Sequence, residues 1–184
     1  IDWTPFFHTW ELKGSFPNIL EHPEKGDAAR KLFEDAQSLL EQIVSERWLQ
    51  AKGVFGIFRA EAQGDDIVLY KRTPRKDACC GPSEVIAARF CTLRQQAKKT
   101  ATPNLALADF IAPQASGVQD HIGLFAVTAG LGIEAHVARF EAQHDDYNAI
   151  MLKALADRFA EAFAEYLHQR VRTSYWGYAS DETL

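Results

Sequence analysis

Two E-x-x-H patterns, Glu141-Ala142-Gln143-His144 and Glu165-Tyr166-Leu167-His168, are the segments whose residue types and spacing most directly suggest metal chemistry. On a helix, positions i and i+3 share a face, and di-iron bundles use two such pairs with a Glu from each of two further helices. Glu161 falls on the same stripe as Glu165 and His168, and Glu34 or Glu41 could come from another helix. Against this, Arg158, Glu161, Glu165, His168 and Arg172 together describe a salt-bridged solvent face. Strand-like segments also leave too few helices for a bundle. A metal-dependent oxidoreductase of the di-iron type is therefore the alternative reading. His144-Asp145-Asp146 would point in three directions on a helix, so capping suits them better than joint ligation.

The opening segment, Ile1-Asp2-Trp3-Thr4-Pro5-Phe6-Phe7-His8-Thr9-Trp10, sets one carboxylate among four large aromatics. Asp2 can cap a turn before Pro5. It can equally pair with the ammonium group of an amino-acid-like ligand. Trp3, Phe6, Phe7 and Trp10 would then offer ring faces to a cation such as a sulfonium, worth about 0.5–2 kcal/mol. The residues alone leave both readings open. Nucleophilic catalysis has no support, because no G-x-S-x-G elbow or family-spaced Ser/Cys–His pair is present. Thr128-Ala129-Gly130-Leu131-Gly132 lacks the nucleotide-loop glycines and lysine, and reads as a strand-to-helix turn.

The 184 residues suffice for one domain with a sizeable core. A net charge of −5 argues against a nucleic-acid surface. No apolar run approaches the roughly 20 residues that span a bilayer, so no membrane partner is expected. The three cysteines, with Cys79 and Cys80 adjacent, suit a reducing compartment, and the cytoplasm is the expected location. The single methionine is Met151, and the chain opens inside an apolar segment. A piece of a longer polypeptide is the expectation.

The elements that must carry these residues follow from pattern. The first 25 residues read as irregular, punctuated by Pro5, Gly14, Pro17, Pro23 and Gly26. Apolar residues from Leu32 to Trp48 recur at helical spacing after Asp27 as N-cap. Gly53–Phe58 and Asp66–Tyr70 read as a hairpin around Gly64-Asp65. Residues 71–84 read as a polar loop and Val85–Phe90 as a strand or helix start. Leu105–Phe110 and Ile122–Thr128 are strand candidates. Helical spacing returns after Gly132 and holds from Tyr147 to Val171. The class is α+β.

Several motifs, in this order along the chain, carry a resemblance: Ile1-Asp2-Trp3-Thr4-Pro5-Phe6-Phe7, Leu93-Arg94-Gln95-Gln96, Leu107-Ala108-Asp109-Phe110, Phe140 through Asn148, Lys153 through Arg158, and Tyr175-Trp176-Gly177-Tyr178. Together they resemble the activation domain of cobalamin-dependent methionine synthase over essentially residues 1–184. The resemblance implies a C-shaped α+β domain with a bent antiparallel sheet, flanked by helices that include a long C-terminal one. It implies binding of S-adenosylmethionine, with Asp2 on its methionyl part and Glu161 near the site, and no catalytic residue of the domain's own. It further implies reactivation of a methyltransferase of methionine biosynthesis by reductive methylation of cob(II)alamin. That cobalamin is held by a neighbouring domain, and a flavodoxin or diflavin reductase supplies the electron. The family's R-x-x-x-G-Y-P motif does not occur before Leu184, so the domain is expected to be incomplete at its C-terminus. A remnant that docks without ligand is the remaining alternative. The loop around Cys79-Cys80 is expected to be a surface elaboration.

Overall fold

Phe6 and Phe7 are fully buried, and this decides the structure of the opening segment. In the computed structural model, which describes residues 1–73 and 83–182, Trp3–Thr9 forms a short helix, α1, rather than irregular chain. Pro5 sits in its first turn, where a missing N–H costs nothing. A 3₁₀ turn at Asn18–Glu21 follows. Helix α2 spans Gly26–Ser45 and buries Ala29, Leu32, Ala36, Leu39 and Ile43, the stripe expected from the spacing. Its N-cap is Lys25 rather than Asp27, which lies one residue inside the helix. Gly26 is required here: a Cβ would stand 2.7 Å from the Leu20 carbonyl oxygen.

Four strands follow: β1 Gln50–Gln63, β2 Asp66–Thr73, β3 Ser83–Cys91 and β4 Asp120–Leu131. They form one open sheet in the order β3-β2-β1-β4. The expected hairpin is β1–β2, antiparallel with Gln63 opposite Asp66 and Gly64-Asp65 in the turn. Val85–Phe90 belongs to β3, antiparallel to β2, with a bulge at Leu69/Tyr70. Leu105–Phe110 is not a strand. Leu107–Phe110 is a 3₁₀ turn, closed by the Asp109 carboxylate accepting from Ala106 N at 2.9 Å. The Cys79-Cys80 segment lies outside the described residues.

Helix α3, Ile133–Ala142, starts where Gly132 takes φ 97° and places the Trp48 carbonyl oxygen 3.0 Å from where a Cβ would be. The Thr128–Gly132 run is thus a strand-to-helix turn. Helix α4 covers Asp146–Arg170, and Val171–Tyr175 continues it as a π turn. The class is α+β with an open sheet and a long C-terminal helix.

The chain forms two compact units, Ile1–Val54 with Ala126–Leu184, and Phe55–Phe125. In the first, α1, α2, α3 and α4 share a core that includes Phe6, Phe7, Leu39, Ile43, Met151 and Leu155. In the second, Ala60, Ala62, Ile67, Leu69 and Ala108 form a smaller core. Its buried carboxylate, Glu61, is held by Arg59 and accepts from Tyr70 Oη at 2.9 Å. Burial, then Glu61, pushes the Tyr70 phenol up from its usual range.

Helices α1, α2 and α3 end alike, in Schellman caps. Leu12 N donates to Phe7 O, Trp48 N to Ile43 O and Asp145 N to Phe140 O, at 3.0, 3.0 and 2.9 Å. The left-handed residue in each is Glu11, Arg47 or His144, with φ 59°, 55° and 55°. Glycine is the usual occupant, since a Cβ is strained there. Replacing His144 with glycine should therefore raise stability by about 0.5–1 kcal/mol, read as an increased urea midpoint. An unchanged or lower midpoint would refute this account of the cap.

Candidate functional site

Asp2 is the N-cap of α1, and its Oδ1 accepts from Thr4 N at 2.9 Å. The capping role is therefore real, but it uses one oxygen. Oδ2 has no protein partner among the described residues, and the side chain is exposed. Thr4 is itself fixed, because its Oγ1 accepts from Phe16 N at 3.1 Å. Trp3 packs edge-on against Phe6 and Phe33, with centroids 5.3 and 4.8 Å away. Of the four aromatics expected to offer ring faces, Phe6 and Phe7 are core residues with no accessible face. Trp3 and Trp10 stay half-exposed. Trp10 lies against Tyr147, centroids 5.1 Å apart, and Tyr147 Oη donates to Asp35 Oδ2 at 2.8 Å. Burial, reinforced by Asp35, pushes the Tyr147 phenol up to about 12, so it remains a donor at neutral pH.

Glu161 is exposed on α4 and paired with Arg158 one turn earlier. Helix α1 contacts α4. No hydrogen bond or ion pair joins Asp2 to Glu161 among the described residues.

The E-x-x-H reading fails on backbone geometry. Helix α3 stops at Ala142, and His144 turns left-handed, so Glu141 and His144 do not share a helical face. Asp145 instead caps α4, accepting from Asn148 N at 3.0 Å and Asn148 Nδ2 at 2.7 Å. These bonds hold its carboxyl below the usual range. Among the described residues no cluster of three His, Cys, Asp or Glu side chains is placed to hold a metal.

The two internal motifs meet in the second unit. The Arg94 guanidinium holds both Asp109 oxygens at 2.8 Å, Asp65 Oδ1 at 2.6 Å and the Asn104 carbonyl at 2.7 Å. All its donors are engaged, so this constellation is a brace rather than an open site.

The model of the vitamin B12 dependent methionine synthase activation domain matches residues 1–184. The chain belongs to this activation-domain family. Among solved structures it is similar to the MetH reactivation domain bound to AdoHcy, at 52% identity and a TM-score of 0.85. That match covers 100% of this chain and 54% of the other, so the chain spans about half the length of its structural relative. Within the activation-domain family frame, Asp2 and the Arg94–Asp109 brace fall on the motifs that carried the sequence resemblance. The brace itself had no signal in spacing, since 15 residues separate its two partners. Among the described residues no helix is long and apolar enough to cross a membrane.

Proposed function

We propose that this activation domain binds S-adenosylmethionine and supports reactivation of a cobalamin-dependent methionine synthase. The observation that carries the reading is Asp2: a capped, immobilised carboxylate with one free oxygen beside the half-exposed Trp3, in a chain 52% identical to a domain bound to AdoHcy. The residues fit such a ligand. Asp2 Oδ2 accepts from the ligand's ammonium group, while the Thr4 N–H bond keeps the carboxylate oriented. Glu161 adds negative charge near the same positively charged ligand. When bound, S-adenosylmethionine supplies a methyl group, and the chemistry belongs to cobalt rather than to any side chain here. On this reading a neighbouring domain would hold the cobalamin, and a flavodoxin or diflavin reductase would supply the electron for its reductive methylation from the cob(II)alamin form. Cytoplasmic location follows from that partnership.

The test separates cap from ligand contact. Asparagine caps helices as well as aspartate but carries no charge. In the intact enzyme, Asp2→Asn should leave the thermal midpoint within about 2 °C and weaken S-adenosylmethionine at least tenfold, about 1.4 kcal/mol, by calorimetric titration. Unchanged affinity would remove Asp2 from the site. Retained association with the cobalamin domain without ligand binding in the unaltered enzyme would favour the docking remnant.

A further inference from the structure

In the first unit a cavity of about 640 Å³ lies between the end of α2, the start of β1 and α4, and neither Asp2 nor Glu161 lines it. Its walls are Ile43, Leu49, Phe159, Ala162 and Phe163, and Arg47 and Tyr166 are among its few polar groups. A volume of this size, apolar with a few polar groups, is typical of small-molecule sites.

Arg47 is the informative residue. It occupies the left-handed position of the α2 cap, where a glycine would be less strained. Its side chain has no hydrogen-bond or ion-pair partner among the described residues. The neighbouring Glu46 makes no ion pair with it; that carboxylate accepts from Trp48 Nε1 at 2.7 Å and Gln42 Nε2 at 3.0 Å. An unpaired guanidinium beside an apolar cavity is complementary to one kind of occupant.

We propose that this cavity binds a small anionic amphiphile, with its carboxylate on Arg47 and its hydrocarbon body against Phe159, Ala162 and Phe163. Guanidinium groups take carboxylates through two parallel hydrogen bonds, which gives the anion an advantage over a neutral or cationic analogue. The inference stands on the cavity and Arg47 alone and is independent of S-adenosylmethionine binding.

Decanoate, decan-1-ol and decyltrimethylammonium, each titrated into the protein by calorimetry below its micellar concentration, test it. Decanoate should bind saturably at one site, and the two analogues at least tenfold more weakly. Arg47→Gly should weaken decanoate at least tenfold while raising the unfolding midpoint, because glycine relieves the left-handed backbone. A loss of binding then cannot be a loss of fold. Ala162→Phe, which fills the cavity, should abolish binding; if it does not fold, Arg47→Gly decides alone. Absence of saturable decanoate binding, equal binding of the three probes, or unchanged affinity in Arg47→Gly would each overturn the proposal.

Discussion

Replacing Phe7 with alanine lowers stability by about 3–5 kcal/mol, read as a fall in the urea midpoint at unchanged slope. Phe7 is fully buried, and its ring lies 5.7, 6.2 and 6.4 Å from those of Phe6, Phe16 and Phe33. Truncation removes its hydrophobic transfer energy and leaves a cavity that α1, at seven residues, cannot collapse around without losing its own packing. Against a total stability of about 5–15 kcal/mol, that is a large fraction. Because α1 carries Asp2, S-adenosylmethionine affinity should fall in step with the folded fraction. A loss below about 1 kcal/mol would mean that this aromatic cluster does not anchor the helix.

The same pair of phenylalanines shows where sequence reasoning reached and where it stopped. Asp2 among aromatics was legible as a choice between cap and ligand contact, and its geometry shows that one oxygen serves the cap while the other is free. Phe6 and Phe7 looked like candidate ring faces because burial is not a local property. Their partners Phe16 and Phe33 come from segments whose approach only the fold sets. Helix α2, the β1–β2 hairpin and α4 were legible from periodicity and turn residues, which are local signals. Helix α1 was missed because Pro5, read as punctuation, sits in the one turn that tolerates it. The 3₁₀ turn at Leu107–Phe110 was mistaken for a strand because its apolar residues are too few to show a period.

Helix ends account for the remaining error. The E-x-x-H pair at Glu141 depended on α3 running through His144, and the usual stop signal, glycine, is absent there. The chain stops three helices with Glu11, Arg47 and His144 instead, and no residue preference announces this. At α2 the cap is flanked by two buried apolar residues, Ile43 and Trp48, whereas at α3 the flanking residue is Asp145, which caps α4. Periodicity therefore identified α2 and α4 but not where α3 stops, and the metal hypothesis rested on that limit.

Arg94→Ala should lower the thermal midpoint of the second unit by roughly 5–10 °C. It strips Asp65, Asp109 and the Asn104 carbonyl of their common donor and leaves two carboxylates facing each other. The pH dependence makes the test specific. Arg94, then Ala106 N, holds the Asp109 carboxyl down to about 2, against about 3.9 in an unfolded chain. A depressed carboxylate contributes stability that is fully present above the unfolded value. That contribution shrinks as pH falls from about 4 and is gone below about 2. The midpoint gap between the unaltered protein and Arg94→Ala should thus be widest above pH 5 and narrow steadily between pH 4 and pH 2. Asp109→Asn, which cannot titrate, should flatten the acid limb of its own curve over that window. A gap that stayed constant with pH would show that Arg94 stabilises through packing of its stem, and that the pairing of the two motifs is incidental.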